Sequence, residues 1–131
     1  MGSNVAVHLA AFAPPGLCSG LVVESGVVSM RAMSGQTSAG LPSAFPRPKG
    51  GVEDIALMEN ESKLREITIP TLVLHGAADN LVAAEQAKLA FAASGASKKK
   101  LVLIDGAGHN DIGMSQEYWS CLAAFLDEAM L

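Results

Sequence analysis

The sequence predicts an α/β fold built on a parallel sheet of about three strands. Three observations carry that expectation. Short, continuous apolar runs occur at Leu21-Val22-Val23, from Thr71 to Gly76, and from Leu101 to Ile104. Helix-patterned segments alternate with these runs, and glycine-rich loops follow the second and third of them. Short apolar runs suit strands covered on both faces, and their alternation with helices gives right-handed crossovers between parallel strands.

In chain order, Asn4 to Ala13 is rich in alanine and leucine and is stopped by Pro14-Pro15-Gly16, which predicts an opening helix. The first strand follows and ends at Glu24-Ser25-Gly26. Residues 34–51 shift to Gly, Ser and Pro, with Pro42, Pro46 and Pro48 closely spaced, so a loop or reduced lid is expected there. Asn60 is placed to cap a short helix with Leu64 and Ile67 turned inward, and Ile69-Pro70 forces an extended entry into the second strand. Ala84 to Ser94 predicts a helix closed by Gly95 at C′. The run Lys98-Lys99-Lys100 reads as a solvated loop before the third strand. From Ser115 onward, Tyr118, Trp119, Leu122, Phe125 and Leu126 stand at helical spacing and predict a closing amphipathic helix.

Half of the 131 residues are apolar and 17% are charged, which describes one globular domain able to bury about two-thirds of its unfolded surface. The formal charge is -4 and the only basic cluster is the lysine run, so no nucleic-acid partner is expected. Cys18 and Cys121 have no metal-ligand or redox spacing and read as reduced, buried thiols. No apolar run reaches the roughly 18 residues of a membrane span, and the opening residues lack a secretory pattern, so a cytoplasmic location is expected. No metal or organic cofactor is implied.

Titratable groups stand just beyond two strands. Asp79 follows the second in His75-Gly76-Ala77-Ala78-Asp79, and His109 follows the third in Asp105-Gly106-Ala107-Gly108-His109. Parallel strands bring both loops to one sheet edge, where such folds carry their chemistry. A carboxylate beside a histidine holds one imidazole tautomer and leaves the other nitrogen as a general base.

With these residues in view, LVLHGAADNLV followed by LVLIDGAGHNDI resembles the last two strand-and-loop units of α/β-hydrolases, acid before histidine. From Ile69 to Leu126 the likeness is strongest to the serine peptidase and acyl-hydrolase-like branch, and Gly20 to Gly26 resembles its preceding strand. The resemblance implies that residues 1–131 form the C-terminal portion of a truncated α/β-hydrolase fold. It also implies hydrolysis of a small-molecule ester, amide or thioester, with Asp79 and His109 as catalytic residues. Met1-Gly2 resembles the final x-G of the nucleophile motif G-x-S-x-G, which would put the serine immediately before Met1. Without nucleophile and oxyanion loop the chain is expected to be a poor hydrolase alone, completed by an N-terminal half or prone to self-association through the edge at Leu21.

Other readings stand beside these. Asp79 also fits a turn or helix cap. Glu24, at the end of the first strand, is a rival triad acid. Ser3 and Ser25 are the nearest substitute nucleophiles, although capping and turn roles suit both better. His8 and His75 lie in apolar elements and read as structural. Asp111 is placed to cap or orient the histidine loop, and Tyr118 and Trp119 read as core. The alternative function is a noncatalytic interaction module derived from the same fold.

Overall fold

A computed structural model describes residues 2–30, 32 and 59–129. Its elements, in order, are α1 (Gly2–Phe12), β1 (Leu21–Glu24), α2 (Glu61–Glu66), β2 (Thr71–Gly76), α3 (Glu85–Ala93), β3 (Lys99–Ile104), a 3₁₀ turn (Ile112–Met114) and α4 (Gln116–Ala129). The segment 34–51, expected as a loop or reduced lid, lies outside the described residues.

The three strands form one parallel sheet in the order β1-β2-β3. Val23 pairs with Val73, and Gly76 with Ile104. Alternation along the strands divides the core into two layers. Leu21, Val23 and Val73 pack with Val7 of α1, Leu64 of α2, and Ala87 and Ala90 of α3 on one face. Leu72, Leu74, Val102 and Ile104 meet Tyr118 and Phe125 of α4 on the other. The central strand β2 is therefore buried at every position, which explains its unbroken apolar run.

Several expectations change in detail. The lysine run is no solvated loop, because Lys99 and Lys100 open β3. Lys99 Nζ donates to the Phe91 carbonyl at 2.9 Å and the Ser94 carbonyl at 2.8 Å, satisfying acceptors left over at the end of α3. Gly95 is not a left-handed cap. A Cβ there would collide with the Arg65 carbonyl, so close approach to α2 is what requires glycine. Asn60 occupies the N-cap position, but its side chain makes no cap hydrogen bond. Its Nδ2 reaches Asn4 Oδ1 at 2.6 Å and the Val27 carbonyl at 3.1 Å, joining α1 to the segment after β1.

Trp119 is exposed rather than core, its Nε1 donating to the Gly113 carbonyl at 2.7 Å along the 3₁₀ turn. Leu126 is also exposed, so the buried stripe of α4 is narrower than its spacing suggested. His8 lies at the surface against Phe12, and both cysteines are half-buried free thiols. No helix among the described residues is long and apolar enough to cross a membrane.

Candidate active site

The site lies beyond the carboxyl ends of the strands. After β2 the chain turns tightly, with Ala77 N donating to the Ile104 carbonyl and Ala78 N to the Ala107 carbonyl. These bonds tie the loop after β2 to the loop after β3. Gly76 permits that contact, because a Cβ there would run into the Ala107 and Gly108 carbonyls.

Asp79 is held from two sides. Its Oδ1 accepts from Leu81 N at 2.9 Å and Val82 N at 2.8 Å, and its Oδ2 lies 2.7 Å from His109 Nδ1. The turn role considered for Asp79 is thus real and is performed by the oxygen that does not face His109. The aspartate side chain is fully buried, whereas 28% of the His109 side chain remains accessible. The histidine loop is shaped by Gly106 at φ +69° and by Asp111, whose Oδ1 accepts from Gly108 N at 2.6 Å. With Asp79 as acceptor at Nδ1, the second imidazole nitrogen is left for proton transfer.

A cleft of about 360 Å³ in front of His109 is lined by Gly2, Ser3, Ala6, Val22, Glu24 and Ser25. Glu24 does not meet His109. Its Oε2 accepts from the Tyr118 hydroxyl at 2.7 Å, and this bond, followed by burial and the carboxylate's charge, pushes the phenol up to about 12. Ser25 stands in a left-handed conformation at φ +45°, with its Oγ buried and without a partner among the described residues. A larger cleft of about 570 Å³ opens at the amino ends of β2 and β3, lined by Pro70, Lys98 to Lys100, Cys121 and Phe125, and contains neither Asp79 nor His109.

Two further contacts were not evident in the sequence. His75, fully buried, places Nε2 2.8 Å from the Val82 carbonyl and 3.4 Å from Asp79 Oδ2. Gln86, also buried, accepts from Val28 N and Ser29 N and donates to the Ser29 carbonyl, fastening the exit from β1 to α3. Neither pairing has a sequence signal, because one depends on how the turn after β2 folds back on His75 and the other on how the segment after β1 meets α3. Among the described residues no cluster of His, Cys, Asp or Glu has the makings of a metal site.

The parallel sheet, its two helical layers and the acid-before-histidine order define an α/β-hydrolase fold. Residues 46–113, just over half of the chain, match the family described as serine aminopeptidase, S33, and the protein belongs to that family. Solved structures agree on the fold. A cold-adapted esterase from an Arctic intertidal metagenomic library superimposes with a TM-score of 0.67 at 15% identity, over 100% of this chain and 46% of its own. An alpha/beta hydrolase from the metagenome of sediments of the Mar Chica lagoon, Morocco, gives 0.68 at 17% identity, over 99% and 59%. A membrane phospholipase A described as a bacterial virulence factor gives 0.65 at 17% identity, over 98% and 55%. The chain spans about half the length of these structures. No curated protein is a significant match.

Proposed function

We propose that this chain supplies the acid and the base of a serine hydrolase acting on a small-molecule ester, amide or thioester. Asp79 orients His109 and stabilises its imidazolium. His109 takes the proton of a serine hydroxyl as that oxygen attacks the acyl carbon, then delivers it to the leaving group. Water repeats the sequence to release the acid. The observation that carries this reading is the 2.7 Å contact between His109 Nδ1 and Asp79 Oδ2 at the rim of an open cleft.

The nucleophile comes from outside these 131 residues. The sequence contains no G-x-S-x-G, and Ser25 Oγ has no hydrogen-bond partner among the described residues. A nucleophile is activated through a hydrogen bond to its base, and among the described residues Ser25 makes none to His109. The chain alone is accordingly inactive and works when joined to an N-terminal half. The exposed Val5, Leu9 and Phe12 on α1 favour such a partner or a second copy.

The test is ester hydrolysis by a protein that carries these residues behind a Gly-x-Ser segment. Asp79→Asn should reduce kcat by about 10⁴-fold and His109→Ala by about 10⁶-fold, the losses that removal of a triad acid and a triad histidine produce. Activity unchanged in His109→Ala would reject the assignment.

A further inference from the structure

We propose that His75 is a positioning residue for Asp79, acting through the Val82 peptide. The inference rests on the reading that Asp79 orients His109, and it assigns a role to a buried histidine that the reaction itself does not use.

A carbonyl oxygen can only accept, so the 2.8 Å contact between His75 Nε2 and the Val82 carbonyl puts the ring proton on Nε2. The N–H of the same Val82 donates to Asp79 Oδ1 at 2.8 Å. Val82 is thus gripped at its carbonyl by His75 while its amide grips the aspartate. The same imidazole N–H lies 3.4 Å from Asp79 Oδ2, the oxygen that His109 Nδ1 approaches to 2.7 Å. His75 therefore lies beside the oxygen the histidine loop uses and fixes the turn that supplies the other oxygen's donors.

The opposite nitrogen of His75, Nδ1, is buried and has no hydrogen-bond partner among the described residues. An apolar ring in that place would avoid desolvating Nδ1. The imidazole's distinctive contribution is the Nε2 donor, and its target is the loop that carries Asp79. An apolar replacement would leave the Val82 carbonyl without this donor and Asp79 with a less constrained carboxylate.

The experiment is nuclear magnetic resonance on the ¹⁵N-labelled full chain, reading the protonated nitrogen of His75 and the His109 Nδ1 proton shared with Asp79. Three variants are compared. His75→Gln can bring an amide N–H near the position of Nε2, His75→Asn is too short, and His75→Phe has no donor. We expect the His75 proton on Nε2. The His109 Nδ1 proton should exchange with water about tenfold faster in His75→Asn and His75→Phe, with His75→Gln close to the parent.

A His75 proton on Nδ1, an unchanged His109 signal in a folded His75→Asn or His75→Phe, or equal effects of Gln and Asn would each overturn the inference while leaving the catalytic reading intact. A parent chain whose His109 Nδ1 proton is indifferent to Asp79→Asn overturns both. Should His75→Phe not fold, the parent tautomer and the Gln-versus-Asn comparison still decide. A merely structural role would lower melting temperature in the variants without moving the His109 proton.

Discussion

The hydroxyl of Tyr118 donates to Glu24 Oε2 at 2.7 Å, joining α4 to the end of β1. The carboxylate, with burial and its charge behind it, pushes the phenol up from its ordinary value of 10.0 to about 12. The folded chain thus holds this proton more tightly than the unfolded chain does. The associated stability is fully present below pH 10 and is lost as pH rises through about 12. Tyr118 is the only tyrosine in the sequence, so phenolate absorbance reports it alone. Glu24→Gln should move that titration back toward 10, and an unmoved curve would show that Glu24 is not the cause.

Ser25 holds φ +45° at the end of β1, a conformation that costs an L-residue roughly 1–2 kcal/mol and glycine little. Among the described residues its hydroxyl has no hydrogen-bond partner that would be lost. Ser25→Gly should therefore be at least as stable as the parent in urea unfolding, whereas Ser25→Val should be weaker by more than about 1 kcal/mol. A marked loss in Ser25→Gly would show that the hydroxyl has a partner under solution conditions.

Gly76 is where the two site loops press closest. A Cβ there meets the Ala107 and Gly108 carbonyls, and backbone cannot swing aside as a flexible side chain can. Gly76→Ala should cost about 1–3 kcal/mol and shift the loop that carries His109. Urea unfolding measures the first effect and the His109 ring resonances the second. Parent-like values for both would mean that the loops have room to separate.

Much of this arrangement was legible in the sequence because it follows from patterns along the chain. The buried strand β2 coincides with the apolar run Thr71 to Gly76, and both Asp79 and His109 stand just beyond strands that parallel pairing must bring together. What was not legible depends on which face an element turns to its neighbours. Trp119 shares helical spacing with Tyr118, but the sheet reaches only the Tyr118 side of α4. Lys99 looked like solvent-facing charge because its acceptors, the carbonyls of Phe91 and Ser94, belong to the end of the preceding helix. The link from His75 through Val82 to Asp79 was hidden because it closes only after the turn has folded.

β1 is an edge strand among the described residues, and its Leu21-Val22-Val23 carries no proline or charge. Natural edges of this kind are covered or charged. The purified chain should form oligomers at tens of micromolar by light scattering, and Val22→Lys should reduce them. A monomer whose behaviour is the same in both proteins would mean that another segment shields this edge.

On the proposed function, Asp79 and His109 serve a serine that these 131 residues do not contain. A serine-directed phosphonate probe tests it most directly, because it reports an activated nucleophile whatever the substrate. No covalent labelling of the chain alone is expected. Labelling that disappears in Ser25→Ala or Ser3→Ala, and in His109→Ala, would contradict it by showing that the chain activates a nucleophile of its own.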